Sequence, residues 1–205
     1  KNLLVPQTTN LVFNFDGTLR WRSVDNGSGH FGYDSISPVV ADIDLDGAPE
    51  IIGGHTVYAN DGTVKWSADS IGDGATAIGN FDSDPYAEIV LLHSEALYVL
   101  EHDGRVKWGP VRGPSGSAGS GPPTVADFDG DGRIDLASVA AQEEGVRAFR
   151  GNCKGVWKES SEGLSITDWG NAVEMTDMNG DGQLDIVAAY AAGPRVWPGH
   201  GTGGW

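Results

Sequence analysis

The sequence lacks the marks of several large protein classes. It contains no run of 18 or more apolar residues that could cross a membrane as a helix, and no signal-peptide pattern. Its single cysteine, Cys153, excludes an internal disulfide. Lys and Arg number 13 against 29 Asp and Glu, which gives a formal charge of −16 and leaves no basic stripe to meet phosphates. The sequence therefore predicts neither a transmembrane segment nor a nucleic-acid partner.

Catalytic signatures are missing as well. There is no Gly-x-Ser-x-Gly nucleophile elbow and no phosphate-binding loop. Ser, His and Asp are all present, but their order alone does not assemble a triad. The sequence predicts that the chain is not an enzyme.

Helical periodicity is also scarce, and the pattern that replaces it indicates an all-β fold. Short runs of Val, Ile, Leu and aromatic residues alternate with clusters of Gly, Asp, Asn and Pro, and the chain holds 31 glycines. Four acidic segments of nine residues recur, which we call loops I to IV: 42–50, 80–88, 127–135 and 177–185. Their starts lie 38, 47 and 50 residues apart. Hairpins ending in Trp21, Trp66, Trp108, Trp157 and Trp205 keep a similar spacing.

Two markers that share a period of about 40–50 residues favour a β-propeller. Each period reads as strand, acidic loop, strand, turn, strand, turn and strand, which is typical of a four-stranded antiparallel blade. The sequence predicts a single propeller domain over 1–205, with blade repeats at about 1–25, 37–68, 73–110, 122–159 and 170–205. The first repeat lacks its inner strand and acidic loop; the other four are named blades I to IV after their loops. About five blades are thus covered, as a small ring or, as we favour, as part of a larger one.

The acidic loops have the composition of calcium sites. Calcium takes six to eight oxygen ligands at about 2.3–2.6 Å, and alternate positions of a tight loop can turn their oxygens to one centre. Positions 1, 3, 5 and 9 would supply side chains and position 7 a backbone carbonyl. The predicted ligands are Asp42, Asp44, Asp46, Ala48 and Glu50; Asn80, Asp82, Asp84, Tyr86 and Glu88; Asp127, Asp129, Asp131, Arg133 and Asp135; and Asp177, Asn179, Asp181, Gln183 and Asp185.

Two other interpretations of these loops are weaker. An EF-hand needs a glutamate at position 12, where the four copies have Gly53, Leu91, Ser138 and Ala188, and its flanks must be helical. Acidic turns without metal would have to hold three or four carboxylates together against their repulsion, four times over. The loops use 14 of the 29 acids, so about four structural Ca²⁺ ions would bring the charge from −16 to −8.

These motifs resemble the FG-GAP and VCBS repeats of integrin α-like calcium-binding propellers, over essentially the whole chain. Phe31-Gly32 and Ser37-Pro38 before loop I are similar to the element that names the FG-GAP repeat, and 121–127 is a similar approach to loop III. From about Gly145 onward, the repeats are more similar to VCBS repeats. The resemblance implies bound calcium, an extracellular setting, and adhesion or carbohydrate binding. Departures that would weaken loops II and IV are Asn80, Pro85 and Asn179.

A ligand is expected on the face opposite the acidic loops. That face carries the turns between second and third strands and the blade-to-blade linkers, of which 22–36, 109–122 and 158–170 are long. The candidate ligand-binding residues are His30, Tyr33, His55, His93 and Trp169. Packing against the blades, or an exposed turn position in the case of the two matched histidines, is the structural alternative for each.

Three functions follow as hypotheses. The first is a secreted or cell-surface binding and adhesion module, stabilised by calcium, whose loop-rich face meets a glycan or protein ligand. The second is a propeller-type polysaccharide lyase or hydrolase. The third is a scaffold within a larger surface protein that supplies further blades or domains. Few Arg or Lys occupy the predicted ligand face, which favours binding over cleavage of a polyanion.

Overall fold

The computed structural model of the chain describes residues 11–23, 38–93, 96–112, 122–139, 145–164 and 170–205. Every regular element in these ranges is a β-strand, and the strands form five antiparallel sheets. This arrangement confirms the all-β prediction. Among the described residues, no helix is long and apolar enough to cross a bilayer.

The strands group into five sheets along the chain. The N-terminal hairpin pairs β1 (Leu11–Phe13) with β2 (Leu19–Arg22). Blade I consists of β3 (Val39–Ala41), β4 (Glu50–Gly53), β5 (Thr56–Tyr58) and β6 (Val64–Ser67). Blade II consists of β7 (Ala75–Gly79), β8 (Glu88–His93), β9 (Ala96–Leu100) and β10 (Val106–Arg112). Blade III consists of β11 (Thr124–Ala126), β12 (Asp135–Val139), β13 (Val146–Gly151) and β14 (Trp157–Glu159). Blade IV consists of β15 (Gly170–Thr176), β16 (Asp185–Tyr190) and β17 (Gly193–Trp197).

Blades I to III are simple four-stranded meanders, in which each strand pairs with the next in sequence. In every blade the acidic loop joins the first two strands, as the sequence predicts. Val, Ile and Leu dominate the second strands, and β8 and β12 are almost entirely buried. Such continuous apolar runs belong to strands that are covered on both faces.

Blade IV differs from the prediction, because its described sheet has three strands. The segment expected to form the outer hairpin runs Pro198-Gly-His-Gly-Thr-Gly-Gly-Trp205 and forms no strand. Proline and glycine disfavour strands, since proline lacks the donor and glycine offers no side chain to pack. The segment packs instead against the end of blade III: the Trp205 indole N–H donates to the Ser160 carbonyl at 2.8 Å.

The hydrophobic core lies between consecutive blades. The first strands β3, β7, β11 and β15 contact one another in succession, as the inner strands of propeller blades do. Position 2 of loops I to III is buried in the core between blades. Ile43, Phe81 and Phe128 are 1%, 2% and 3% exposed, whereas Met178 of loop IV is 56% exposed.

The hairpin tryptophans pack in two opposite directions. Trp66 lies four residues after its hairpin glycine and covers the hairpin of the following blade, where a Cβ on Gly104 would lie 2.7 Å from the ring. Trp157 lies only two residues after Gly155 and meets Phe81 of the preceding blade edge-on, with centroids 5.7 Å apart. A register shift in the β5–β6 pairing separates the two cases, because the β13–β14 pairing runs without one.

Candidate metal sites

The acidic loops turn sharply at their middle positions. Loops III and IV use glycines at positions 4 and 6 with φ between 74° and 84°, and loop I uses Leu45 (59°) and Gly47 (88°). A positive φ is the reason for glycine at these points. Loop II has Pro85 at position 6, and the ring of proline fixes a negative φ. Loop II therefore takes a different path from the other three.

Side chains at positions 3 and 5 build a ladder along each loop. Each accepts a hydrogen bond from the backbone N–H two residues later, as Asp and Asn do in tight turns. The bonds to position 3 are 3.3 Å for Asp44, 2.8 Å for Asp82, 3.3 Å for Asp129 and 2.8 Å for Asn179. The bonds to position 5 are 2.8 Å for Asp46, 2.9 Å for Asp84, 2.9 Å for Asp131 and 2.8 Å for Asp181.

Position 1 closes the loop in three of the four copies. One carboxylate oxygen of Asp42, Asp127 and Asp177 accepts the N–H of the position-6 glycine, at 3.0, 2.8 and 2.9 Å. Asn80 in loop II instead donates its side-chain amide to the Asp84 carbonyl at 2.5 Å. The asparagine thus fits a loop that lacks the position-6 glycine.

Position 9 anchors the loop in the core. Its carboxylate is buried in all four copies and accepts the N–H of position 2. The distances are 3.0 Å for Glu50, 2.7 Å for Glu88, 3.1 Å for Asp135 and 2.9 Å for Asp185. A buried carboxylate needs such donors, because burial of an unpaired charge is costly.

The second oxygen of this carboxylate is satisfied in two ways. In blades I and II a lysine from the fourth strand does so: Lys65 Nζ lies 3.0 Å from Glu50, and Lys107 Nζ lies 2.8 Å from Glu88. In blades III and IV the N–H of Gly151 or Gly199 donates at 2.9 Å to Asp135 or Asp185. We call the first pair lysine-type blades and the second pair glycine-type blades.

Both lysines also reach carboxylates that were predicted as metal ligands. Lys65 Nζ lies 2.5 Å from Asp44 and 3.9 Å from Asp46. Lys107 Nζ contacts Asp82 and lies 3.0 Å from Glu101. Sequence reasoning missed the lysines, although a Lys-Trp pair in both hairpins (65–66 and 107–108), with Arg20-Trp21 in the N-terminal hairpin, carries the signal.

These ion pairs shift the ionisation of the loop groups. The hydrogen bond from Lys65 lowers the pKa of Asp44, and that from Lys107 lowers the pKa of Asp82. Burial would lower the pKa of Lys107, but its hydrogen bonds to the surrounding carboxylates raise it above its ordinary value. In loop III burial raises the pKa of Asp135 to about 6, because its neutral backbone donors compensate the charge only in part.

In three of the four loops, the structure brings three of the carboxylates named as candidate ligands close together, without Asp46 or Asp131. In each set, one oxygen per residue lies within 4.8 Å of the others, which is the spacing of oxygens around one cation. The sets are Asp42, Asp44 and Glu50; Asp82, Asp84 and Glu88; and Asp127, Asp129 and Asp135. Loop IV has Asn179 at position 3, and its described carboxylates form no such set. The all-oxygen chemistry of the three sets fits a hard divalent cation.

Two of the five predicted ligand-binding residues, His55 and His93, lie in the described part of the chain. His30, Tyr33 and Trp169 lie outside the described residues. His55 is 1% exposed, and its Nδ1 lies 2.5 Å from the Asp73 carboxylate. His93, at the end of β8, has Nδ1 in hydrogen-bond contact with the Asp73 carbonyl. The two histidines thus hold the linker between blades I and II from both sides, and this geometry favours a structural role for both.

A polar cleft opens between blades III and IV. Its volume is about 780 Å³, and its lining includes Arg150, Lys158, Glu162, His200 and Trp205. Hydrogen bonds fix its walls: the Ser160 hydroxyl donates to the Gly203 carbonyl at 2.5 Å. Sequence analysis named one wall of this cleft, the linker 158–170, but not Arg150 or the segment 200–205 that form the rest.

Comparison with known proteins decides the family. A model of the FG-GAP-like repeat matches the sequence twice, over 80–138 and 127–188, which together exceed half of the chain. The chain belongs to the FG-GAP-like repeat family. The matches of this FG-GAP-like protein include loops II, III and IV, so the resemblance seen in the sequence is confirmed. No curated protein matches the chain.

Solved structures share the fold at low sequence identity. The Vibrio cholerae biofilm matrix protein Bap1 is 22% identical with a TM-score of 0.54, covering 90% of this chain and 33% of its own. An Agrocybe aegerita lectin that recognises non-reducing terminal N-acetylglucosamine is 20% identical with a TM-score of 0.52, covering 89% and 58%. The rhamnogalacturonan lyase YesW is 19% identical with a TM-score of 0.50, covering 92% and 40%. The FG-GAP-like chain thus spans less than two thirds of each of these proteins, and the likeness shows the fold.

Proposed function

We propose that this chain is a calcium-stabilised β-propeller segment that works outside the cell as a non-catalytic binding module for a glycan or protein ligand. The observation that carries the proposal is the recurrence of three carboxylate sets at the same place in consecutive blades. Asp44, Asp84 and Asp129 project from loops whose backbones are already hydrogen-bonded into shape. A cation at each set would offset the repulsion among the carboxylates and add little ordering cost.

Calcium is the cation that these loops suit best. Their donors are carboxylates and backbone carbonyls, on loops with no sulfur or imidazole ligand among the predicted residues. The variable loop paths, with Pro85 in loop II and glycines in loops III and IV, suit an ion that tolerates irregular geometry. Bound calcium would be structural and would tie the first strand of each blade to the second.

The proposed ligand site is the cleft between blades III and IV. Trp205 offers an aromatic face, while Arg150, Lys158 and His200 offer donors for sugar hydroxyls or carboxylates. Aromatic and polar groups in one concave site are typical of ligand recognition. The names of the similar structures, a lectin, a lyase and a biofilm matrix protein, support a carbohydrate ligand and an extracellular setting.

Calcium titration into metal-stripped protein tests the metal half of the proposal. A ligand that binds only the folded state stabilises it by about 2.7 kcal/mol per site at about 100 times its Kd. We therefore expect Tm to rise by several degrees. Asp129→Asn should reduce the rise, whereas Asp61→Asn, in a hairpin turn outside the loops, should not. An unchanged Tm and no heat of binding would refute calcium binding.

Glycan-array screening of the calcium-loaded protein tests the ligand half. His200→Ala, at an exposed position of the cleft, should lower retention of any bound glycan, while Lys154→Ala on the adjacent hairpin should not. Chain cleavage of an acidic polysaccharide, seen as new reducing ends, would instead support the lyase or hydrolase alternative. If the protein shows neither glycan binding nor cleavage, the scaffold hypothesis is favoured.

A further inference from the structure

We propose that Lys65 and Lys107 serve as built-in cations of loops I and II, so that these loops keep their shape without metal while loop III depends on calcium. The inference rests on the proposed calcium binding and assigns it unequally among the blades. It concerns two residues that lie outside the acidic repeat itself.

The first observation is where the ammonium groups lie. Lys65 Nζ bridges position 9 and position 3 of loop I, at 3.0 Å from Glu50 and 2.5 Å from Asp44. Lys107 Nζ bridges the matching pair of loop II, with Glu88 at 2.8 Å and Asp82 in contact. Each lysine therefore binds two members of a set that would otherwise enclose a divalent ion.

The second observation is that the Lys107 side chain is integrated into the fold. It is only 11% exposed, and its third carboxylate partner, Glu101, comes from the hairpin turn between β9 and β10. Three carboxylates around one ammonium use all three of its donors. Calcium would have to share these oxygens with a positive charge close by or displace the lysine.

The third observation is the contrast with loops III and IV. There the position-9 carboxylate receives neutral N–H donors from Gly151 and Gly199. Two arginines lie near loop III: Arg133 pairs with Asp131 at 2.5 Å and is 46% exposed, and Arg150 lies 3.5 Å from Asp129, a member of the carboxylate set. Among the described residues, however, Asp135 accepts no bond from a charged side chain, so no ammonium or guanidinium bridges positions 3 and 9 of loop III as the lysines do in loops I and II.

The length of the side chain at position 9 varies with the group that donates a hydrogen bond to it. Both lysine-type blades have glutamate there, and both glycine-type blades have aspartate. Glutamate is one methylene longer and can reach an ammonium group outside the loop, whereas aspartate stays close to the backbone of its own hairpin. The lysine and the longer glutamate side chain thus occur together as an ion pair.

Calorimetry and thermal unfolding of Lys65→Met and Lys107→Met test the inference, with Lys158→Met as the matched control. Lys158 is an exposed lysine that also lies next to a tryptophan on a fourth strand. We expect wild type to bind fewer than four Ca²⁺ tightly. Each Met variant should have a lower metal-free Tm than the control. Its substituted loop should bind Ca²⁺ with at least tenfold higher affinity than the same loop of wild type, so that one more ion is bound. Lys65→Arg should retain the metal-free Tm, because it keeps the charge.

The outcomes separate the inference from the function on which it rests. Calcium binding by wild type, with Met variants that match Lys158→Met in Tm and affinity, overturns the inference alone. Absence of calcium binding in wild type and in every variant overturns the proposed function. A Met variant that is unfolded without metal and recovers with calcium supports the inference, and failure to recover counts against it.

Discussion

The lysine-type blades I and II and the glycine-type blades III and IV share one strand order. They differ in the hydrogen bonds of one hairpin residue. The strand register shows which hairpin residues are equivalent in the four blades. The first residue after each acidic loop pairs with a residue of the third strand, and the equivalent hairpin residue lies two positions further along. These equivalent residues are Asn60, His102, Gly151 and Gly199. In the lysine-type blades this residue turns its carbonyl outward to a tryptophan of the preceding sheet, as Asn60 and His102 do at 3.1 and 2.8 Å. In the glycine-type blades it turns its N–H inward to the position-9 aspartate.

The comparison shows that one backbone position can tie a blade to its neighbour or to its own loop. Where the carbonyl is used between blades, a lysine must satisfy the loop carboxylate. Where the N–H is used within the blade, the tryptophan turns back to the aromatic residue at position 2, as Trp205 does to Phe128 at 5.1 Å. Fastening within and between blades is therefore linked through one hairpin residue.

The largest effect is expected from substitutions at this position. A Cβ on Gly151 or Gly199 would overlap the backbone carbonyl of Ile134 or Leu184, so the hairpin would have to move away from its aspartate. Gly199→Ala should cost about 3 kcal/mol, through overpacking and a lost buried hydrogen bond. Asn60→Ala should cost less than about 1 kcal/mol, because the carbonyl remains. Urea unfolding at fixed calcium measures both, and equal losses would contradict the equivalence.

A smaller effect is expected from the aromatic contact that only glycine-type blades make. In a double-mutant cycle, Phe81→Leu and Trp157→Leu should be coupled by about 1 kcal/mol, as an edge-to-face pair is. Ile43→Val and Trp108→Leu, the matching positions of blades I and II, should show a smaller coupling, because Trp108 covers the hairpin of blade III instead of turning back. Coupling of the same size in both cycles would show that the tryptophan direction does not matter.

The smallest effect concerns the linker between the lysine-type blades. The hydrogen bond to Asp73 raises the pKa of His55 above 6.5, and Asp69 adds to this shift. The folded protein thus binds the proton more tightly than the unfolded chain, so this stabilisation is complete below pH 6.5 and is lost as pH rises through the folded pKa. The free energy of unfolding should fall over that window. Asp73→Asn should flatten the profile, and an unchanged slope would remove His55 as its source.

Much of this architecture could be predicted from the sequence because its signals are local. The alternation of apolar and turn residues predicts a strand on each side of every acidic loop, and β3 and β4 flank loop I in this way. The Asp-x-Asp-x-Asp spacing gives the hydrogen-bond ladder of each loop, since each bond joins residues two apart. Such features need no knowledge of what packs against them.

The rest depended on contacts between segments that are distant in sequence. Lys65 meets Glu50 across 15 residues and Lys107 meets Glu88 across 19, and only the strand register decides that they touch. His55 lies in the β4–β5 turn and His93 at the end of β8, and their contacts with Asp73 follow from how the linker lies between two blades. The missing fourth strand of blade IV reflects a run of glycines whose cost the repeat pattern did not show.

The exposed Met178 has a consequence for motion. In a stack where each blade contacts only its neighbours, an interface that is covered on both sides opens only when two blades separate. Blades II and III are enclosed in this way by Ile43, Phe81 and Phe128, whereas blade IV presents Met178 at 56% exposure. Amide hydrogens of β16 and β17 should therefore exchange with solvent through smaller, more frequent openings than those of β8 and β12. Among blades II to IV, local opening would then be easiest at blade IV.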